Sequence, residues 1–477
     1  MKVPFSEYLT ALAPAVKEVI NDLAKDHDYV SALATDSKGL VIRIGSRSRS
    51  ISNKTMTTER GVVFRVCKNK KYAEYAVNTA DWSDTASIIK NIRDEFEKQD
   101  RLLKETGSKI YETGALDYEK REFFGQRDAE ILPEKADIKA LTEKLIAISD
   151  KGMKAGPDVI ECIARAQSTH ISKMFLTPES DLRQSYVYSE GMVAAVVSRD
   201  GKIREDYKSF SGLCGPELFD EMAGSVERVV ADAEELLDAE SIEPGEYEIV
   251  TSPEVTGLIA HEAFGHGVEM DMFVKHRALG AEYIDKRVAS DQVTMHEGAN
   301  CAEDVTSYFF DDEGVPAGDV TEIDKGILKS GICDAIAAKR LGVKPTGNGK
   351  RENFAHKVYT RMTNTVFDSG EYTKEEMISS IKYGYLLEGM QSGMEDPKHW
   401  GIQCIIQKGR EIKDGKLTGR VVSPVIMTGY VPDLLGNITM CSKDREIFGS
   451  GGCGKGHKEW VKVADGGPFL KTKARLG

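Results

Sequence analysis

Two imidazoles and three carboxylates fall within eleven residues of this chain, His261-Glu262-Ala263-Phe264-Gly265-His266-Gly267-Val268-Glu269-Met270-Asp271. Neutral imidazole is a good ligand for zinc, and a glutamate directly after the first histidine is placed to act as a general base. The common zinc-protease pattern sets its histidines at i and i+4, on one helical face. Here the spacing is i and i+5, and a regular helix would splay the two rings by roughly 140°. Gly265 is where a widened π-type turn or a helix end is cheapest, and either swings His266 back toward His261. The competing reading is a surface helix end with two unrelated histidines.

The element that positions the group should be a helix, because Ser252-Pro253 offers a capping hydroxyl and a first-turn proline. Val255, Leu258 and Ile259 make one apolar face of that helix, and Glu262 falls near its middle. A carboxylate aimed into a core is costly unless a cation meets it, and a metal is such a partner.

Catalytic zinc takes three protein ligands and keeps one position open. The remaining histidines and the eight cysteines could supply the third. Only Gly449-Ser450-Gly451-Gly452-Cys453-Gly454-Lys455-Gly456-His457 looks built for it. Glycines allow close backbone approach, and Lys455 could help hold a thiolate by charge. Both Cys453 and His457 compete for the role. Gly449 to Lys455 also fits the GxxxxGK of a phosphate-binding loop, but Gly456 stands where that motif needs a magnesium-holding Ser or Thr. Such a loop must also open a helix, and only about twenty residues follow.

The rest of the chain suggests the scaffold. Its 477 residues suggest two or three domains, and 40% hydrophobic with 30% charged residues is an ordinary globular composition. A net charge of −13 argues against broad binding to nucleic acid or anionic membrane. The cysteines are scattered without a CxxC pair and read as reduced. No signal-peptide core or membrane-length apolar run is present, so the cytoplasm is the expected location.

The first helix is marked by Leu9, Leu12, Val16, Val19, Ile20 and Leu23. Strands are expected at Tyr29–Thr35, Leu40–Gly45, Gly61–Cys67 and Tyr72–Asn78, the first two parted by a turn at Asp36-Ser37-Lys38-Gly39. A helix starts near Ser83, and the charged residues 101–133 read as a connection. The pattern then repeats, with a helix at about 136–150, four strands between Val159 and Val197, and a helix at about 216–238. Two helix–strands–helix halves would pack as one layered N-terminal α+β domain, residues 1–243, ending at Ser241-Ile242-Glu243-Pro244-Gly245. Residues 244–477 read as a mainly antiparallel β domain carrying the motif helix, with short helices near Asp334–Arg340 and Lys374–Tyr383. The fold class is therefore α+β.

HEAFGHGVEMD, with a glycine-flanked CGKG near the C-terminus, resembles the TldD/PmbA family. Glu59-Arg60-Gly61-Val62-Val63-Phe64-Arg65-Val66 is similar to that family's early ERGVGVRV strand, and Arg361-Met362-Thr363-Asn364-Thr365 and Gly429 through Ile438 match as well. The resemblance implies a zinc metallopeptidase of the active-subunit type. His261, His266 and Cys453 would be its ligands and Glu262 its general base. It would act on unfolded or extended peptides as a homodimer or with a related partner subunit. The sequence departs from the family after Cys453, where the segment is shorter and His457 lies in place of a glutamine. Glu269 and Asp271 are placed to accept a ligand N–H or bind a substrate amine, or to sit at a solvated helix end. Arg361 and Asn364 either contact substrate or form a strand-edge salt bridge. Two other functions compete: a peptide-binding or peptide-maturation partner without its own proteolysis, and a nucleotide-using enzyme. The intact Glu262 argues against the first, and the missing hydroxyl against the second.

Overall fold

A computed structural model describes residues 1–455 and 459–477. The first half is built on an eight-stranded sheet whose central strands are long: Tyr29–Ile44, Val159–Leu176 and Ser180–Arg199. Alternation along the first of these decides the layering. Val30, Ala32 and Ala34 pack under the helices Glu7–Leu23 and Thr85–Thr106. Leu40, Ile42 and Ile44, of the same parity, pack under the helix Ile138–Ala155 through Leu141, Leu145 and Ile148. Both helix groups thus cover one face. The opposite face is turned to the second half, with Leu33 and Phe175 against Phe310, and Tyr186 and Tyr188 against Val305, Tyr308 and Ala464.

Asp36-Ser37-Lys38-Gly39 is not a turn but lies within the strand Tyr29–Ile44. Its polar residues are satisfied from outside the strand. Asp36 accepts from Ser6 Oγ at 2.6 Å and Arg60 Nε at 2.8 Å, and Ser37 Oγ donates to the Thr57 carbonyl at 2.8 Å. The connection expected at 101–133 also holds a strand, Arg121–Gln126, parallel to Ser180–Arg199. Lys202–Gly212 is a further strand that alternation did not mark, and the helix expected over 216–238 is regular only at Val226–Glu235, after two short 3₁₀ segments.

The second half is an eleven-stranded, mainly antiparallel sheet. The strand Ala464–Leu476 pairs in parallel with Asn364–Phe367 and antiparallel with Gly245–Thr251 and Met440–Phe448. Short helices run over Ala335–Leu341, capped by Asp334, and over Lys374–Ser379, started by a Thr373/Glu376 capping box. All eight cysteines are unpaired, and no helix among the described residues is long and apolar enough to cross a membrane.

The motif helix, Pro253–Ile259, lies on the Ala464–Leu476 strand. Gly257 makes this possible, because a Cβ there would come within 2.7 Å of the Gly466 nitrogen. Val255, Leu258 and Ile259 fill the core beneath. Ser252 precedes the helix without capping it, since its hydroxyl is buried and has no hydrogen-bond partner.

Candidate metal centre

Beyond Ile259 the helix widens into a π-turn over Ala260–Gly265 and ends in a 3₁₀ turn at His266–Val268. The widened turn absorbs the extra residue between the histidines, and the ring centroids of His261 and His266 come to 5.1 Å. Gly265 lets Met362 pack close, since a Cβ there would lie 2.3 Å from Met362 Sδ.

Cys453 reaches the same point from the other end of the chain. Gly452–Gly454 is a short strand paired antiparallel with Trp460–Lys462, so this segment does not run from a strand into a helix as a phosphate loop must. His457, the alternative third ligand, lies outside the described residues, as does Gly456. Cys453 Sγ is 3.3 Å from His266 Nε2, and one donor atom each from His261, His266 and Cys453 lie within 4.8 Å of one another.

Buried Arg361 holds this hairpin. Its guanidinium donates to the Cys453 carbonyl at 2.9 Å and to the Glu459 carbonyl at 2.6 Å, and its Nε lies 3.5 Å from Glu269 Oε1. Glu269, only 1% exposed, also stands 3.1 Å from His266 Nδ1 and 3.1 Å from Lys455 Nζ. Lys455 does not turn to the thiol. Two buried carboxylates claim it, Asp271 at 2.6 Å and Glu269, with the Thr360 carbonyl at 3.2 Å.

Asn364 is not part of the cluster. It is fully buried, and its side chain ties the 298–307 loop by accepting from Thr306 Oγ1 at 2.6 Å and donating to the Gly298 and Ala302 carbonyls.

Glu262, half-buried beside His261, has no hydrogen bond or ion pair among the described residues. A Cβ on Gly393 would strike its Cγ at 2.4 Å, so this glycine leaves the room the side chain occupies. The charge of Glu262 is felt at His261 and Asp465.

The electrostatics favour a thiolate. Burial works against ionising Cys453, but His261 and His266 outweigh it and hold the thiol well below its ordinary range. Burial likewise opposes ionisation of Glu269, and Lys455 and His266 overcome it, keeping the carboxyl well below its usual value.

Two further acids belong to this neighbourhood and were not found from the sequence. Asp465 Oδ2 lies 3.8 Å from His261 Nδ1, and burial pushes its carboxyl up to about 7. Both oxygens of Glu395 are buried without partners, and burial raises that carboxyl well above its ordinary value while His266 opposes the rise. Neither stands at a fixed spacing from a histidine, so no local pattern marks it.

Residues 244–464 match the family described as the PmbA/TldA metallopeptidase C-terminal domain. The chain is similar to a metalloprotease of Methanothermobacter thermautotrophicus, 29% identical over 71% of this chain and 74% of that one. It is also similar to the zinc metalloprotease TldD homolog of Saccharolobus solfataricus, 28% identical over 60% of this chain and 64% of that one. In fold it is similar to the crystal structure of TldE from Thermococcus kodakarensis, with a TM-score of 0.76 at 17% identity over 97% of this chain and 100% of that one.

Proposed function

The chain belongs to the PmbA/TldD family of metallopeptidases, and from that premise we propose that it is a zinc-dependent peptidase of unfolded or extended peptides. One observation carries the reading: the donor atoms of His261, His266 and Cys453 converge within 4.8 Å beside the carboxylate of Glu262, which has no partner among the described residues. Two imidazoles and a thiolate are nitrogen and sulfur donors of the kinds zinc takes, with bonds of about 2.1 Å to nitrogen and about 2.3 Å to sulfur, and three of them leave a fourth position open. Donors within 4.8 Å need only a small contraction to meet one ion, and His261 Nδ1 is buried with no hydrogen-bond partner among the described residues.

Zinc bound there supplies a Lewis acid at neutral pH. Glu262 takes the proton of the attacking water and later delivers it to the leaving amine, a role for which a carboxylate with no other partner is suited. Glu269 accepts from His266 Nδ1 and so aims the other ring nitrogen at the cluster. Arg361 fixes the Cys453 hairpin by its two carbonyls and acts as a positioning residue, while Asp271 holds Lys455 in place.

The strand Tyr383–Asp396 supports an extended substrate. Residues Met390 to Asp396 pair on one side only, with Gly401 to Ile406, while the parallel pairing with Gly245–Thr251 stops at Leu387. Glu262 lies over the face of this stretch at Gly393. A peptide added at the open edge would be held by its backbone, largely regardless of side chains. We place the division between the halves at residues 243 and 244, the protein in the cytoplasm, and the working unit as a dimer with a second copy or a related subunit.

A test is to offer a disordered peptide and a stable folded protein before chelation, after it, and after zinc is returned. Cleavage of the peptide alone, lost on chelation and restored by zinc, is expected. Cleavage that survives chelation or prefers the folded protein contradicts the reading.

A further inference from the structure

Next to the centre a groove of about 870 Å³ opens between the two halves. Its walls come from the end of the helix Thr85–Thr106, the 109–111 segment, the strand Lys71–Val77 and the second half. Asp271 lines it and leads to His266 through Lys455 and Glu269, at 2.6, 3.1 and 3.1 Å.

The cations of this groove fall into two sets. Arg65 is paired with Glu74 at 2.8 Å, Lys275 with Asp271 at 2.8 Å, and Lys71 with Asp100. Arg340, Lys357 and the exposed Lys109 of the rim have no ion pair among the described residues. Arg340 donates only to neutral acceptors, Thr113 Oγ1 at 2.6 Å and the Tyr111 carbonyl at 3.0 Å, with its guanidinium over the Tyr111 ring. Lys357 Nζ lies 5.9 Å from the centroid of Tyr359. The nearby carboxylates are committed elsewhere. Asp334 accepts from the Ala337 nitrogen and Thr360 Oγ1, and Glu74 holds Arg65 and Arg351. Burial lowers the pKa of both groups, opposed by Asp334 at Arg340 and by Glu74 at Lys357, where the charges of Arg65 and Arg340 add to the lowering. Positive charge that no carboxylate pairs directly, half-buried at Arg340 and exposed at Lys357, in a chain of net charge −13 offers an anion a place to bind.

We propose that this groove is a carboxylate-binding subsite in which Arg340 and Lys357 receive an anionic group of the peptide whose scissile bond lies at the metal centre. The proposal rests on the peptidase reading and adds a substrate class to it. The carboxylate comes either from the peptide's C-terminus or from an Asp or Glu side chain, and the chemistry of recognition is the same: planar bidentate contact from the guanidinium and a point charge from the ammonium.

Binding separates the proposal from catalysis. Fluorescently labelled disordered peptides are titrated into the full chain carrying Glu262→Gln, so that none is cut, and anisotropy is read. One peptide has a free C-terminal carboxylate and no acidic side chain, one has a C-terminal amide and an internal glutamate, and one is amidated and neutral. At least one acidic peptide is expected to bind about tenfold or more tightly than the neutral one. The arm that gains identifies the source. Arg340→Gln with Lys357→Gln should abolish the difference and leave the affinity for the neutral peptide unchanged. Equal affinity for all three overturns the proposal, as does a preference that survives both substitutions. Should the double variant not fold, the three peptides on the parent protein and the single Lys357→Gln variant decide. An intact preference, together with no cleavage of any of the three peptides by the zinc-loaded chain with Glu262 in place, would overturn the peptidase reading and leave the subsite standing.

Discussion

Nδ1 of His266 stands 3.1 Å from Oε2 of Glu269, while Nε2 of the same ring stands 3.3 Å from Cys453 Sγ. One buried carboxylate thereby sets the orientation of one proposed ligand, and through Arg361 and Lys455 it also braces the hairpin that carries another. Glu269→Gln keeps the shape but weakens the pull on the Nδ1 proton. Zinc affinity, read by competition with a chelating dye, should fall by about 10–100-fold. Unchanged affinity would mean that the contact does not tune the site.

The third ligand is decided by metal content. Cys453→Ala should lower bound zinc sharply, because two imidazoles alone make a poor site. His457→Ala should leave it near one equivalent. The opposite pattern would move the ligand to His457.

Away from the centre, His296 offers a test of stability against pH. Asp368 first and Asp319 second hold its imidazolium, at 3.5 and 2.8 Å, and raise its pKa from the ordinary 6.5 to about 9. A raised folded-state pKa contributes stability that is complete below the unfolded value and is lost as pH rises through the folded one. The denaturation midpoint of the natural protein should therefore fall, relative to His296→Gln, between about pH 6.5 and 9. Parallel midpoints for the two proteins across that window would refute the assignment.

These cases also mark how far the sequence could be read. The His261–His266 spacing and Gly265 were enough to expect a widened turn, because helical geometry is local and the glycine sits at the one place that relieves it. The helices were legible for the same reason, through the period of Leu9 to Leu23 and of Leu141 to Ile148. The turn expected at Asp36-Ser37-Lys38-Gly39 failed because those polar residues are satisfied by Ser6, Arg60 and the 57–59 backbone, partners that no local pattern names. Asp465 and Glu395 were missed likewise, since each meets the histidines only through sheet topology. Arg361 and Asn364 were noticed through family resemblance alone, and what they touch, two hairpin carbonyls and a distant loop, depends on pairings far apart in the chain.

In the proposed centre His261, His266 and Cys453 hold the metal while Glu262 moves the proton, and Glu262→Gln separates the two roles. Glutamine keeps the size and a polar end but cannot accept a proton at neutral pH. Zinc content and peptide turnover measured on the same preparation should show metal retained and cleavage reduced by roughly 10²–10⁴-fold. Near-normal cleavage would contradict the account, and zinc lost in step with activity would make Glu262 a ligand or the support of one.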